Sequence, residues 1–539
     1  MKPGLKPAFP PVPLPGTNVS INRINGVPYV YHIGKGFRNA QGKPTSKKTS
    51  IGRLDETSGM LIPNDNYFVI YGMDTTKARQ EEIAVDQILN FGDFFLLDCL
   101  ARRLNLDFLL RNVFGEIGAD ILLMAIFMTL DSSALYHCET WCEETLTGRH
   151  KAISSQQCGR ILNLIDEKSR MDFFTAWAYA KEQQEYLAYD VTSISSYSKG
   201  NEAVEFGYNR DHEDLPQINL GMYFGESSRL PIYYCTYPGS INDTSHLCHM
   251  MANNERLGIA DCRFVMDRGF FSEENIKYMA KKGFMFILAM MNHHKIPLNL
   301  INKYGTPLKS SRYDLGSSGV QGIVVENTDY GFRCNIHLFY DDEKKADEER
   351  ALRYKLAKFE EALNKGDNPK GAELYFVITE GNDSVRQIER NYDYIDSLRQ
   401  RFGYFLIMTT DFAKTPADVL RIYRMKDVVE KSFDNLKNHL DMRRLRVHSA
   451  AAYEGKMFVA FVGLILRASV QNTLAEFLDK HRRMSLETVF RELKKLKVIK
   501  TRNGLLLHNP ITKKQRDILA AFGQSEEDIR AWLDAFSST

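Results

Sequence analysis

Val27, Tyr29, Tyr31 and Ile33 recur at every second position, Gly34 and Gly36 turn the chain, and Lys47 to Leu54 returns with mixed polarity. This pattern predicts a small β-unit over residues 17–75. From about residue 80 to 185 the period lengthens to that of a helix. Phe94, Leu97, Leu100 and Leu104 share one stripe, residues 121–130 form an unbroken apolar run, and Phe173, Phe174 and Trp177 fall on another stripe. Strand patterns come back at 186–193, 218–225 and 230–237. A helix is then predicted at 244–257, a strand at 263–267, a helix at 272–282 and a strand at 284–290. A stretch over 292–400, with a highly charged helix at 341–363, interrupts this order before Tyr404 to Thr409 reads as strand again. Thr415, Pro416 and Asp418 then mark the start of a further helix, the hydroxyl as N-cap and Pro where no N–H is needed.

At 539 residues, several domains are expected. The segments above divide it into an extended Pro-rich arm (1–16), the β-unit (17–75), a helical region (80–185) and an α/β core in two parts (186–291 and 401–470). An insertion (292–400) separates those parts, and a basic helical region (471–539) follows. The net charge of +2 hides local asymmetry. Between Lys480 and Arg516, twelve Lys or Arg face only Glu487 and Glu492, an excess of ten positive charges. That density fits phosphate-backbone binding, and a solvated helix face has the same composition. Lys35, Arg38, Lys43, Lys47, Lys48 and Arg53 make the β-unit basic as well, which fits a contact with DNA, and a solubilising surface would look the same.

Cys138 and Cys142 have a spacing that a zinc site could use, and His246, Cys248 and His249 form a second cluster. Neither supplies the paired halves of a structural zinc site, so free thiols in a reducing cytoplasm are expected among the eight cysteines. Six prolines in the first sixteen residues leave no apolar core for a signal peptide. The longest apolar runs, 284–291 and 457–466, are too short to cross a bilayer, so no membrane partner is expected.

The chemistry concentrates in Tyr423-Arg-Met-Lys-Asp-Val-Val-Glu430-Lys-Ser-Phe-Asp-Asn-Leu-Lys437. On one helix, Tyr423, Lys426, Glu430 and Lys437 would project from a single face. A lone carboxylate between two cations suits metal binding beside groups that hold phosphate oxygens. Two further carboxylates sit where strands are predicted to present them. Asp190 lies in Tyr189-Asp190-Val-Thr192, and Asp267 ends a short apolar run ahead of Arg268-Gly269 and a helix opened by Ser272.

These segments resemble bacterial insertion-sequence transposases of the DDE type with the Tyr-Arg-Glu-Lys signature, in which Tyr-x2-Arg-x3-Glu-x6-Lys carries the third acid. The matching residues are Tyr423, Lys426, Glu430 and Lys437, with Lys where the family usually has Arg. Lys keeps the charge and loses the bidentate fork. The Tyr-Asp-x-Thr and Asp-Arg-Gly-Phe segments around Asp190 and Asp267 resemble the same family, as do 207–220, 230–233 and 237–243. The resemblance runs in order from Glu185 to Arg467.

It implies an RNase H-like α/β core, interrupted by a β-rich insertion between the second Asp and the Glu. It further implies Asp190, Asp267 and Glu430 as catalytic metal ligands for two Mg2+ ions, replaceable by Mn2+. Tyr423, Lys426 and Lys437 become DNA-phosphate contacts. The implied function is a DNA transposase acting on transposon ends and target DNA as a homodimer, cytoplasmic and on the nucleoid when bound. A metal-dependent nuclease without strand transfer, or an inactive DNA-binding relative, has the same core. Some relatives stack a flipped base on a Trp of the insertion. Here the tryptophans are Trp141, Trp177 and Trp532, all outside it, which leaves Tyr304, Tyr330, Phe332 or Tyr340 for such a role.

Overall fold

In the computed structural model, the described residues are 9, 11–24, 26–38, 41–56, 58–71, 85–149, 151–180, 185–197, 202–252, 257, 263–380, 386–447, 449–480, 485–501 and 506–537. They form two compact units. One comprises 1–91 with 495–513 and 525–539, and the other 92–494 with 514–524.

The first unit contains an antiparallel meander of β1 (Val19–Ile24), β2 (Val27–Arg38), β3 (Pro44–Leu54) and β4 (Leu61–Pro63). Val30, Ile51, Leu61, Tyr67 and Phe68 form its core together with Phe9. Residues 1–8 and 10 of the predicted extended arm lie outside the described residues. Phe9 is buried against Phe68, and the Val12 amide donates to the Leu61 carbonyl at 2.8 Å, so this part of the arm is docked by apolar burial and a backbone pair. β5 (Val85–Asn90) pairs with the strand Lys497–Thr501, which pairs with Leu506–His508. The C-terminal region, expected to be helical, therefore also contributes two strands. Val498 of this sheet is fully buried.

The second unit is built on an eight-stranded sheet. Its strands are β6 (Tyr186–Ser195), β7 (Gln217–Gly225), β8 (Pro231–Pro238), β9 (Arg263–Met266), β10 (Met285–Met290), β11 (Val320–Asn327), β12 (Cys334–Asp341) and β15 (Tyr404–Thr409). The order is β11-β12-β15-β10-β9-β6-β7-β8. β6, β7 and β8 form an antiparallel meander, and β9 and β10 add in parallel beside β6. Tyr189, Tyr223, Phe264, Phe286 and Phe339 are among its fully buried side chains. Local signals hold where the sequence placed them. The Ser272 hydroxyl accepts from the Asn275 amide, and Thr415 and Asp418 close a capping box.

The insertion departs from the expectation of a β-rich segment. β11 and β12 extend the core sheet itself. Three helices, Lys295–Leu308, Asp342–Asn364 and Tyr392–Arg399, accompany them and the hairpin of β13 (Phe376–Glu380) and β14 (Arg386–Arg390). The charged run 341–363 folds as helix because Leu352, Leu356 and Leu363 lie on one stripe. They pack with Tyr375, Phe376 and Ile395 into a separate small core.

A helix over Ala450–Lys480 is fully buried from Met457 through Leu466. By length and composition, Leu106–Asp131 and Ala450–Ala475 are apolar enough to cross a membrane, which the short runs in the sequence did not suggest. Their apolar windows are 56% and 83% buried inside the fold, so that surface is used in packing. Small residues let the helices approach: the Thr129 hydroxyl reaches the Gly463 carbonyl at 3.3 Å. A Cβ at Gly455 would stand 2.1 Å from the Leu162 carbonyl oxygen. Leu162 lies in the helix Ser155–Leu164, so Gly455→Ala should force that helix away from Ala450–Lys480 and cost about 3 kcal/mol, the upper end for overpacking. Chemical denaturation checks this, and an unchanged midpoint would mean that the contact relaxes freely.

Candidate active site

Register places the first two acids. β6 and β9 run parallel, with Tyr189 opposite Met266 as the last pair. Asp190 and Asp267 are the next residues on each strand, and neighbouring strands lie about 4.8 Å apart. Asp190 sits at the middle of β6, within the predicted strand, where pairing with β9 stops and β6 runs on beside β7 to Ser195. Asp267 follows β9 directly and leads into a short turn at Arg268–Phe270.

The third acid arrives on a helix that is not continuous with the one carrying Tyr423. The structure breaks the expected single helix into Pro416–Arg424 and Asp427–His439. At the break, the amides of Met425, Lys426, Val428 and Val429 bond to carbonyls three residues back, which tightens the coil for one turn. This shift brings Tyr423 and Lys426 onto Asp267 together. The Tyr423 hydroxyl donates to Asp267 Oδ1 at 2.9 Å, and Lys426 Nζ lies 3.3 Å from Asp267 Oδ2. The same ammonium is 3.1 Å from Glu430 Oε1. Glu430 remains the open arm of the network, its side chain 58% exposed.

Lys437 points elsewhere. It makes two contacts to the Asp211 carboxylate, at 2.9 and 2.7 Å, and ties the Glu430 helix to the loop after β6. That loop was quoted in the sequence but assigned no role. Arg210 in it pairs with Asp243 and hydrogen-bonds Ser193 on β6. The run Arg210-Asp211-His212-Glu213-Asp214, dense in charge between two strands, was the available signal.

The electrostatics follow from this crowding. Burial pushes the Asp190 carboxyl up to about 6, and Asp267 adds to the push, against the Val191 amide and the charges of Lys426 and Arg210. Burial also works to raise Asp267. The Lys426 charge, the Arg268 amide and the Tyr423 hydroxyl nevertheless hold it below the usual carboxylate range. Burial disfavours the Lys426 ammonium, but Asp267, Glu430 and Asp190 outweigh it and raise its affinity for the proton. Burial and the neighbouring Asp267 likewise raise the Tyr423 phenol.

A cavity of about 400 Å³ opens beside Asp267 and Tyr423, walled by Arg268 and Arg424 and, from the insertion, by Asp341, Lys344 and Glu348. Of the four aromatic residues of the insertion singled out above, Tyr330 and Tyr340 are core side chains, 5% and 3% exposed. The six cysteines whose side chains are described are free thiols, and Cys138, Cys142 and Cys158 are buried in the core. The side chains of Cys248 and His249 lie outside the described residues.

Among the described residues, no three His, Cys, Asp or Glu side chains are gathered closely enough to hold one metal ion. The donor chemistry still suits a hard divalent cation: three carboxylates, two of them register neighbours, with a single ammonium supplying positive charge between Asp267 and Glu430.

Comparison with curated proteins gives no match. Among solved structures, the piggyBac transposase in its synaptic complex with hairpin DNA is similar at a TM-score of 0.36 and 9% identity, over 78% of this chain and 74% of that one. The profile of the family described as "Transposase DDE domain" matches residues 181–466, a span that holds all three acids and more than half of the sequence, and the chain belongs to that family.

Proposed function

We propose that the chain is a DNA transposase that cuts at the ends of its element and joins them to target DNA by two-metal-ion phosphoryl transfer. Asp190, Asp267 and Glu430 are the carboxylates that would hold the ions, Mg2+ or in its place Mn2+. When bound, such ions activate the attacking oxygen and stabilise the leaving one. The observation that carries the reading is the register match of Asp190 and Asp267 on parallel strands, with Tyr423 and Lys426 contacting the second and Glu430 joined to it through Lys426. The strand order β8-β7-β6-β9-β10, antiparallel and then parallel, supports an RNase H-like core.

The chain's own groups divide the remaining work. Tyr423 is a positioning residue: its hydroxyl fixes one Asp267 oxygen and leaves the other to the cation side. Lys426 neutralises the acidic cluster and offers a protonated ammonium to a phosphate oxygen brought there. Lys437 braces the Glu430 helix through Asp211 and meets phosphate only if that pair opens. Two DNA ends have to be paired, so the working species is a homodimer.

The test is incubation of the purified chain with a supercoiled plasmid carrying its element's ends, in Mg2+ or in EDTA. Metal-dependent cuts at the ends with joined products are expected. Cuts without joining would make it a nuclease, and binding without cuts in Mg2+ and in Mn2+ would sink the catalytic reading.

A further inference from the structure

The first 54 residues contain nine Lys or Arg and no Asp or Glu. The fold gathers five of these cations onto one ribbon. β2 and β3 remain paired out to Arg38 opposite Pro44, well past the point where Val30 and Ile51 are buried in the core. Residues 35–38, 41–45, 47 and 48 are all exposed. Pairing sets Phe37 opposite Thr45 and Gly36 opposite Ser46. Side chains alternate along a strand, so Lys47 shares a face with Phe37 and Thr45, while Lys48 shares the other with Ser46 and Arg38. Both faces are cationic.

Among the described residues, Lys35, Arg38, Lys47 and Lys48 have no carboxylate partner. Arg38 Nη1 donates instead to the Gly42 carbonyl at 2.8 Å. Phe37 is 54% exposed near the tip. Cations on both faces of a narrow ribbon call for a polyanion with walls on two sides. The major groove of duplex DNA, about 12 Å wide, admits a two-stranded ribbon between two rows of phosphates. The deep, narrow major groove of duplex RNA does not, and a single strand has no walls.

We propose that the β2–β3 ribbon enters a groove of duplex DNA and anchors the chain on its substrate apart from the catalytic acids. This rests on the transposase reading above and names a contact for it. Lys35, Arg38, Lys47 and Lys48 meet phosphates, and Phe37 makes an apolar contact with the groove.

The experiment measures the affinity of the full chain for a short duplex of arbitrary sequence as KCl is raised. It compares the wild type with the fourfold variant Lys35→Gln, Arg38→Gln, Lys47→Gln and Lys48→Gln, and with Phe37→Ser. Each phosphate contact contributes about 0.9 to the log–log salt slope, so the fourfold variant should lose 3 to 4 from it, or roughly 100-fold in salt sensitivity between about 50 and 200 mM. Phe37→Ser should weaken binding with the slope intact, and both variants should keep the wild-type thermal midpoint because the residues are exposed. An unchanged slope in the fourfold variant overturns the proposal, as does equal wild-type affinity for a single strand. Plasmid cleavage is followed in parallel. Loss of wild-type cleavage with the slope change present strikes the catalytic reading alone, and cleavage with an unchanged slope strikes the ribbon alone.

Discussion

Asp267→Asn should reduce metal-dependent strand cleavage by more than about 10³-fold while duplex binding and thermal stability change little. The side chain keeps its shape, so the Tyr423 hydroxyl and the Arg268 amide retain an acceptor. What disappears is one negative charge at the centre of the site. Asp267 is held ionised by the Lys426 ammonium 3.3 Å away, and it stands beside Asp190 at the point where β9 ends. Metal-held carboxylates supply several kcal/mol of charge stabilisation in the transition state, and about 4 kcal/mol corresponds to a thousandfold. Glu430→Gln should fall as far. Tyr423→Phe removes only the bond that orients Asp267, and losses of about 10- to 100-fold are typical of such supporting groups. That ranking, with the acids far below Tyr423→Phe, is the signature to look for. Cleavage by Asp267→Asn at even a tenth of the wild-type rate would show that the metal is held elsewhere.

The chemistry of this site was legible in the sequence because residue type and local order carry it. Asp190 beside strand formers, Asp267 before Gly269, and Glu430 four residues after Lys426 are short-range statements. Their convergence was not legible. It depends on the parallel register of β6 with β9, and nothing near residue 190 encodes a partner near residue 266. The break between Tyr423 and Glu430 was hidden for another reason. Met425 and Lys426 keep right-handed helical dihedrals, and only a change from fourth- to third-neighbour bonding separates the two helices. Spacing rules cannot register so small a change. The Lys437–Asp211 pair spans 226 positions and reassigned a residue that one-face reasoning had placed with Glu430. The strand Lys497–Thr501 was hidden by Lys497, Lys500 and Arg502, which read as a helix face until β5 and Leu506–His508 supplied partners on either side.

His337→Leu should make the second unit markedly more tolerant of acid. His337 lies in β12, fully buried, opposite Val324 on β11 and Ile407 on β15, with Phe339 stacked 6.2 Å away. Neither ring nitrogen has a hydrogen-bond partner among the described residues. Burial alone lowers its pKa from 6.5 to about 4. The folded ring therefore stays neutral over a range in which the unfolded ring takes up a proton. The stability that His337 allows is present above pH 6.5 and is lost as the pH falls through about 4, because the unfolded state binds more protons across that interval. A gap of this size is worth about 3 kcal/mol between neutral pH and pH 4. Leucine has nothing to protonate and leaves no unpaired nitrogen, so the variant should equal or exceed the wild type at pH 7 and lead it by about 3 kcal/mol near pH 4. Asp190 and Asp93, whose carboxyls burial raises, titrate in the opposite sense in both proteins and cancel from the difference. Urea midpoints of the two proteins from pH 7 to pH 4 decide the matter: curves that diverge on acidification are expected, and parallel curves would mean that the ring gains a partner or water when it charges.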